Sequence, residues 1–81
     1  MLHAREDYNR RIQDSENIIP DDEPVFLLRA NDGCAVEAVR AWIRAAVGIG
    51  VKGNMVQAAR EQLNRFMAWE EEHGTKVPDM D

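Results

Sequence analysis

Two stretches of the chain repeat apolar residues with a helical period, and one short run is apolar with no period at all. In the first stretch Val36, Val39, Trp42, Ile43 and Ala46 fall on one side of a helix, with Glu37, Arg40 and Arg44 opposite. In the second, Met55, Ala59, Leu63, Phe66 and Met67 share a face bordered by Val56, while Arg60, Glu61, Gln62, Asn64 and Arg65 lie outside it. The pattern predicts helices over about 33–47 and 54–72. Gly48, Gly50 and Gly53 lie between them, so the pair should turn back on itself as an antiparallel hairpin. Asp32 is placed to cap the first helix, and Asn54 with Gln57 three residues on forms a capping-box pattern for the second. Gly48 and Gly50 should end the first helix. Glu70, Glu71 and Glu72 oppose the helix dipole, which predicts fraying after Trp69 and a stop at Gly74.

The aperiodic run is Pro24-Val25-Phe26-Leu27-Leu28-Arg29-Ala30, between Asp21-Asp22-Glu23 and Asn31-Asp32-Gly33. It reads as a strand apolar on both faces, or as a short helix with Pro24 in its first turn. Its brevity, its Val-Phe pair and its lack of a polar face favour the strand. No second strand is visible, and unpaired buried backbone groups are costly. The run should therefore pair with its own copy across a two-fold axis, or accept a partner strand at its edge. Phe26 and Leu28 are expected in the core in either form.

Residues 1–23 form a polar arm. Glu6 with Arg10 and Asp7 with Arg11 are i,i+4 pairs in the order that supports a short helix, and Gln13 to Glu23 has loop composition. Ile18 and Ile19 should be pinned onto the core. The expected architecture is mainly α and a single small domain: arm 1–23, strand 24–30, helix hairpin 33–73 and tail 74–81.

Length and charge refine this picture. At 81 residues the chain is near the lower limit for a self-sufficient core, burying roughly 60–65% of its unfolded surface. Its single cysteine allows no intrachain disulfide, so association between copies is the expected route to further burial. The absence of a leader pattern and of any apolar run near 20 residues points to a cytoplasmic protein away from membranes. Net charge is −5, yet residues 34–65 carry five basic and two acidic groups. The acidic total argues against nucleic acid as a partner, whereas the basic middle suits a small anionic ligand or an acidic protein surface.

Each candidate for chemistry has a plainer reading beside it. Gly48-Ile-Gly50-Val-Lys-Gly53 matches G-x-G-x-x-G as a string, but it follows a helix rather than a strand and reads as an interhelix loop. Lys52 and the free N–H groups after Asn54 leave a weak anion cradle as the alternative. Cys34 reads as a half-buried structural cysteine. His3 and His73 lie at opposite ends and suit surface or capping roles better than metal binding. Trp42 and Trp69 read as core packing or as interface anchors, together with Phe26 and Leu28. Arg40, Arg44, Arg60 and Arg65 read as a solvated face or, with Lys52, as an anion-binding patch. No catalytic, cofactor-binding or metal-ligating set is expected, and the chain is read as non-enzymatic.

Several short motifs also occur in a recognisable order: His3-Ala4-Arg5, Asp7-Tyr8-Asn9, Ile12-Gln13-Asp14, Ile19-Pro20, and Asp22 through Ala30 with Asp32. Val39-Arg40-Ala41-Trp42, Ala59-Arg60-Glu61, Met67-Ala68-Trp69 and Lys76-Val77-Pro78-Asp79 continue it. In this order the chain resembles a family of small phage and prophage proteins. It departs from them by an extra Arg at 10–11 and by Glu70-Glu71-Glu72-His73. The resemblance implies a phage-borne accessory protein in a bacterial cytoplasm and carries over no catalytic or binding residue. The expected function is binding of a host protein, a defence component among the candidates, by a small homo-oligomer. Alternatives are an oligomeric sponge for an anionic nucleotide or signalling ligand, and a structural or assembly role in the phage particle.

Overall fold

A computed structural model of the protein describes the backbone of Leu2 and His3 and the whole of residues 5–76. The element order is β1 (Leu2–His3), α1 (Glu6–Arg11), β2 (Pro24–Val25), α2 (Ala35–Ile49) and α3 (Gly53–His73). The mainly helical class and the α2/α3 hairpin agree with the apolar periodicity. The chain divides into two compact units, one running to Leu28 and one beginning at Arg29. The tail from 77 onward and the side chain of His3 lie outside the described residues.

In the first unit, β1 and β2 pair in parallel, Leu2 opposite Pro24 and His3 opposite Val25. This corrects the expectation for 24–30. The strand is only two residues long, and its partner lies in the same chain rather than in a second copy. Beyond Val25 the run leaves regular structure, with Phe26 64% exposed and Leu28 half-buried. Neither is in the core. None of residues 26–30 is buried, which removes the cost on which the pairing expectation rested.

Helix α1 has Glu6 and Asp7 in its first turn and Arg10 and Arg11 in its last, the arrangement that the helix dipole favours. Its buried residue is Tyr8, over whose ring the Arg5 guanidinium sits at 4.3 Å. Arg5 also forks onto the Asp7 carboxylate at 3.1 and 2.8 Å, and Arg11 approaches the same group at 3.9 Å. That guanidinium hydrogen bond holds the Asp7 carboxyl below the usual carboxylate value. The following loop is organised by Asp14, whose two oxygens accept from the N–H groups of Ile18 and Ile19 at 3.1 and 2.9 Å. Ile19 is half-buried, but Ile18 is exposed rather than pinned: backbone bonding to Asp14, not apolar packing, sets its position.

In the second unit, Ile43 and Ala46 of α2 and Val56 of α3 are the buried centre, with Val39, Val51, Ala59 and Leu63 packed around them. Helix α2 runs through Gly48 and stops at Gly50, whose φ of 80° is left-handed and suits glycine. Gly50 N–H reaches back to Val47 O at 3.2 Å and Val51 N–H to Ala46 O at 3.0 Å, the two bonds of a Schellman cap. Val51 then packs against the buried cluster that contains Ala46.

Helix α3 begins at Gly53, with Lys52 in the N-cap position and no side chain bonded to the free amides. The expected capping box at Asn54 is therefore not used: the helix starts one residue earlier and carries Asn54 into its first turn. Nor does α3 fray after Trp69. It continues to His73, whose ring stacks on Trp69 at 4.2 Å and whose Nδ1 lies 3.1 Å from Trp69 O. These contacts offset the unfavourable placement of the three glutamates.

The open end of the hairpin is tied shut by backbone. Gly33 N–H donates to Lys76 O at 2.8 Å and Lys76 N–H to Asn31 O at 2.7 Å, forming a parallel bridge between Asp32 and Lys76. A side chain at Gly33 would bring a Cβ within 3.1 Å of Lys76 O, so a glycine suits this approach. Asp32, the expected cap, lies two residues before the observed one: its carboxylate accepts from Cys34 N–H at 2.7 Å, and Cys34 itself is the N-cap residue. Cys34 is exposed rather than half-buried, because this turn carries it outside the α2/α3 seam.

Candidate interaction surface

A two-helix seam is narrow, and this decides where the apolar side chains of the hairpin go. Residues pointing straight across it are buried; those farther around either helix are half-buried or exposed. Val56, expected at the border, lies at the centre. Met55 and Met67, expected on the packed face, are 54% and 41% exposed. Trp42, included in the α2 stripe, is 48% exposed and Ile49 is 82% exposed.

The Arg40 guanidinium lies 3.9 Å from Met67 Sδ, which marks one side of the hairpin. In an antiparallel pair, rotation in the same sense from the seam leads to the same side of both helices. By that rule Ala38, Trp42, Ala45 and Ile49 of α2 share the other side with Met55, Gln62, Phe66 and Trp69 of α3. Not one of these eight residues is charged, although 31% of the chain is Asp, Glu, Lys or Arg. Trp69 lies at the outer edge of this side and is 36% exposed, its ring being stacked on His73. Of the four expected interface residues, Trp42 and Trp69 belong to this unit, and Phe26 and Leu28 to the first unit.

The basic residues are dispersed. Arg44 and Arg65 fall on the outer surfaces of their helices, well over 90° from the seam. Arg40 pairs with Glu37 at 2.9 Å and Arg65 bonds Gln62 at 3.1 Å, both within their own helix. Lys52 is in the loop, and Arg60 lies on the Met67 side. Opposed outer surfaces cannot converge on one small ligand, so these five residues do not form a single anion cradle within one chain.

Among the described residues no group of three His, Cys, Asp or Glu could hold a metal ion. No described helix is long and apolar enough to cross a membrane. No family model matches this chain, and neither the curated proteins nor the solved structures include a significant match.

Proposed function

We propose that this chain is a non-enzymatic protein-binding protein that docks through the uncharged side of its helix hairpin. The observation that supports this reading is the set of large apolar side chains, Trp42, Ile49 and Met55, held open on well-formed helices of an otherwise highly charged chain. Tryptophan in such a setting suits an interface anchor, because it offers a large, stiff apolar area with one polar handle. The resemblance to small phage proteins extends the proposal: the bound protein belongs to a bacterial host, and binding blocks it.

The test is retention of bacterial proteins on immobilised wild-type chain and on the Trp42→Ala, Trp69→Ala double variant. Each retained protein is then purified and its binding remeasured. A host protein bound by the wild type and lost by the variant supports the proposal. Retention of nothing above background, or of the same proteins by both chains, overturns it.

A further inference from the structure

The uncharged side contains a size pattern that bears on what covers it. Along α2 its residues are Ala38, Trp42, Ala45 and Ile49, at intervals of four, three and four. These intervals read the same in both directions, while the sizes alternate small, large, small, large. When α2 is laid antiparallel on its own copy, with a two-fold axis crossing between Ile43 and Arg44, Trp42 meets Ala45 of the second copy and Ile49 meets its Ala38. A large side chain then faces a small one at all four levels, as close helix packing requires. A parallel copy, in register, would set tryptophan on tryptophan and isoleucine on isoleucine.

We infer that the occupant of this face is a second copy of the chain, paired antiparallel through α2 in a two-fold dimer. The inference rests on the reading of this side as a docking surface and names its partner. The uncovered parts of Trp42, Ile49 and Met55 come to on the order of 400 Å² per chain, or about 800 Å² for two copies, which would form the apolar centre of an interface near the roughly 1,200 Å² lower end of specific ones.

A host protein that binds through Trp42, as proposed above, would then have to displace the second copy from this side.

The decisive measurement is the mass in solution of the full chain by sedimentation equilibrium, for the wild type and Ala45→Arg. Ala45 is exposed, so the variant keeps its helix content by circular dichroism, while a charge is driven into the contact with Trp42. The expected result is a wild-type dimer at tens of micromolar and self-association weakened roughly thirtyfold or more in the variant. Gln57→Arg, which adds the same charge on the exposed outer surface of α3, should stay dimeric.

A wild type of single-chain mass overturns the inference. A dimer untouched by Ala45→Arg overturns it as well. The two proposals fail separately. A monomer that still loses a host protein on the Trp42→Ala, Trp69→Ala change keeps the docking function without self-pairing. A dimer that captures nothing keeps the pairing alone.

Discussion

Gly48 and Gly50 are two residues apart at the end of the same helix, yet replacing each by alanine should change stability in opposite directions. Gly48 is inside α2, has no positive φ, and has open space around the position a Cβ would take. Alanine there gains the difference in helix propensity, about 0.8–1.0 kcal/mol. Gly50 holds φ at 80° while its N–H closes the Schellman cap. Alanine there meets the left-handed penalty of about 1–2 kcal/mol. Reduced freedom of the unfolded chain offsets part of that by about 0.4–1 kcal/mol, leaving a net loss near 1 kcal/mol. The two variants should therefore lie about 2 kcal/mol apart, on either side of the wild type. For a chain this small the urea slope is about 1 kcal/mol per molar, so the midpoints should separate by about 2 M. Urea titration followed by helix circular dichroism is the assay. If Gly48→Ala lowers the midpoint, or both variants move the same way, the assignment of Gly48 to the helix and Gly50 to its cap is wrong.

Ile43→Ala removes three carbons from the centre of the seam at about 0.8 kcal/mol each, and a small cavity term brings the expected loss to about 3 kcal/mol by urea titration. Lys52→Asp gives α3 the side-chain cap it lacks and a charge its dipole favours. It should raise stability by about 1 kcal/mol in the same assay, and no gain would show that Lys52 is not the N-cap residue. For Asp7 the folded carboxyl titrates below its unfolded value of about 3.9, owing first to the Arg5 hydrogen bond and then to nearby positive charge. Its contribution is accordingly full above about pH 4 and lost as pH falls through the lower folded value. Carboxyl-detected NMR titration should show this depressed midpoint, and Arg5→Gln should raise it; an ordinary midpoint in both chains would refute the pairing.

What was legible in the sequence is what periodicity can carry. Val39, Ile43 and Ala46 on one side, and Ala59 and Leu63 on the other, locate α2 and α3 and the seam between them. The period does not say how wide the packed stripe is. A lone partner helix covers less than a full apolar face, which is why Met55 and Met67 sit outside the packed face they were expected to share, and why Trp42, read as core packing or as an interface anchor, is half exposed. The pairing of Leu2–His3 with Pro24–Val25 left no trace, because two residues are too few for an alternating pattern and the bonds are made by backbone. Lys76 closing onto Asn31 and Gly33 was invisible for the same reason. For the candidate surface, the residue types were readable but not their roles: the tryptophans were open to a core or an anchor reading, and the missing charge on their side emerged once the hairpin fixed which flanks coincide. The arginines could be counted but not placed, since convergence depends on the turn of each helix relative to the seam.

The bridge between Asp32 and Lys76 has a consequence for the handling of this molecule. Because the polypeptide enters the hairpin and leaves it through adjacent, hydrogen-bonded backbone, the segment from Asn31 to Lys76 is a cassette with its two ends side by side. Such a segment can be spliced into an exposed turn of an unrelated carrier without prying that turn apart, since the ends already match the spacing of neighbouring strands. The same adjacency makes the segment suited to cyclisation, in which a short linker would join the two ends and turn a hydrogen-bonded closure into a covalent one.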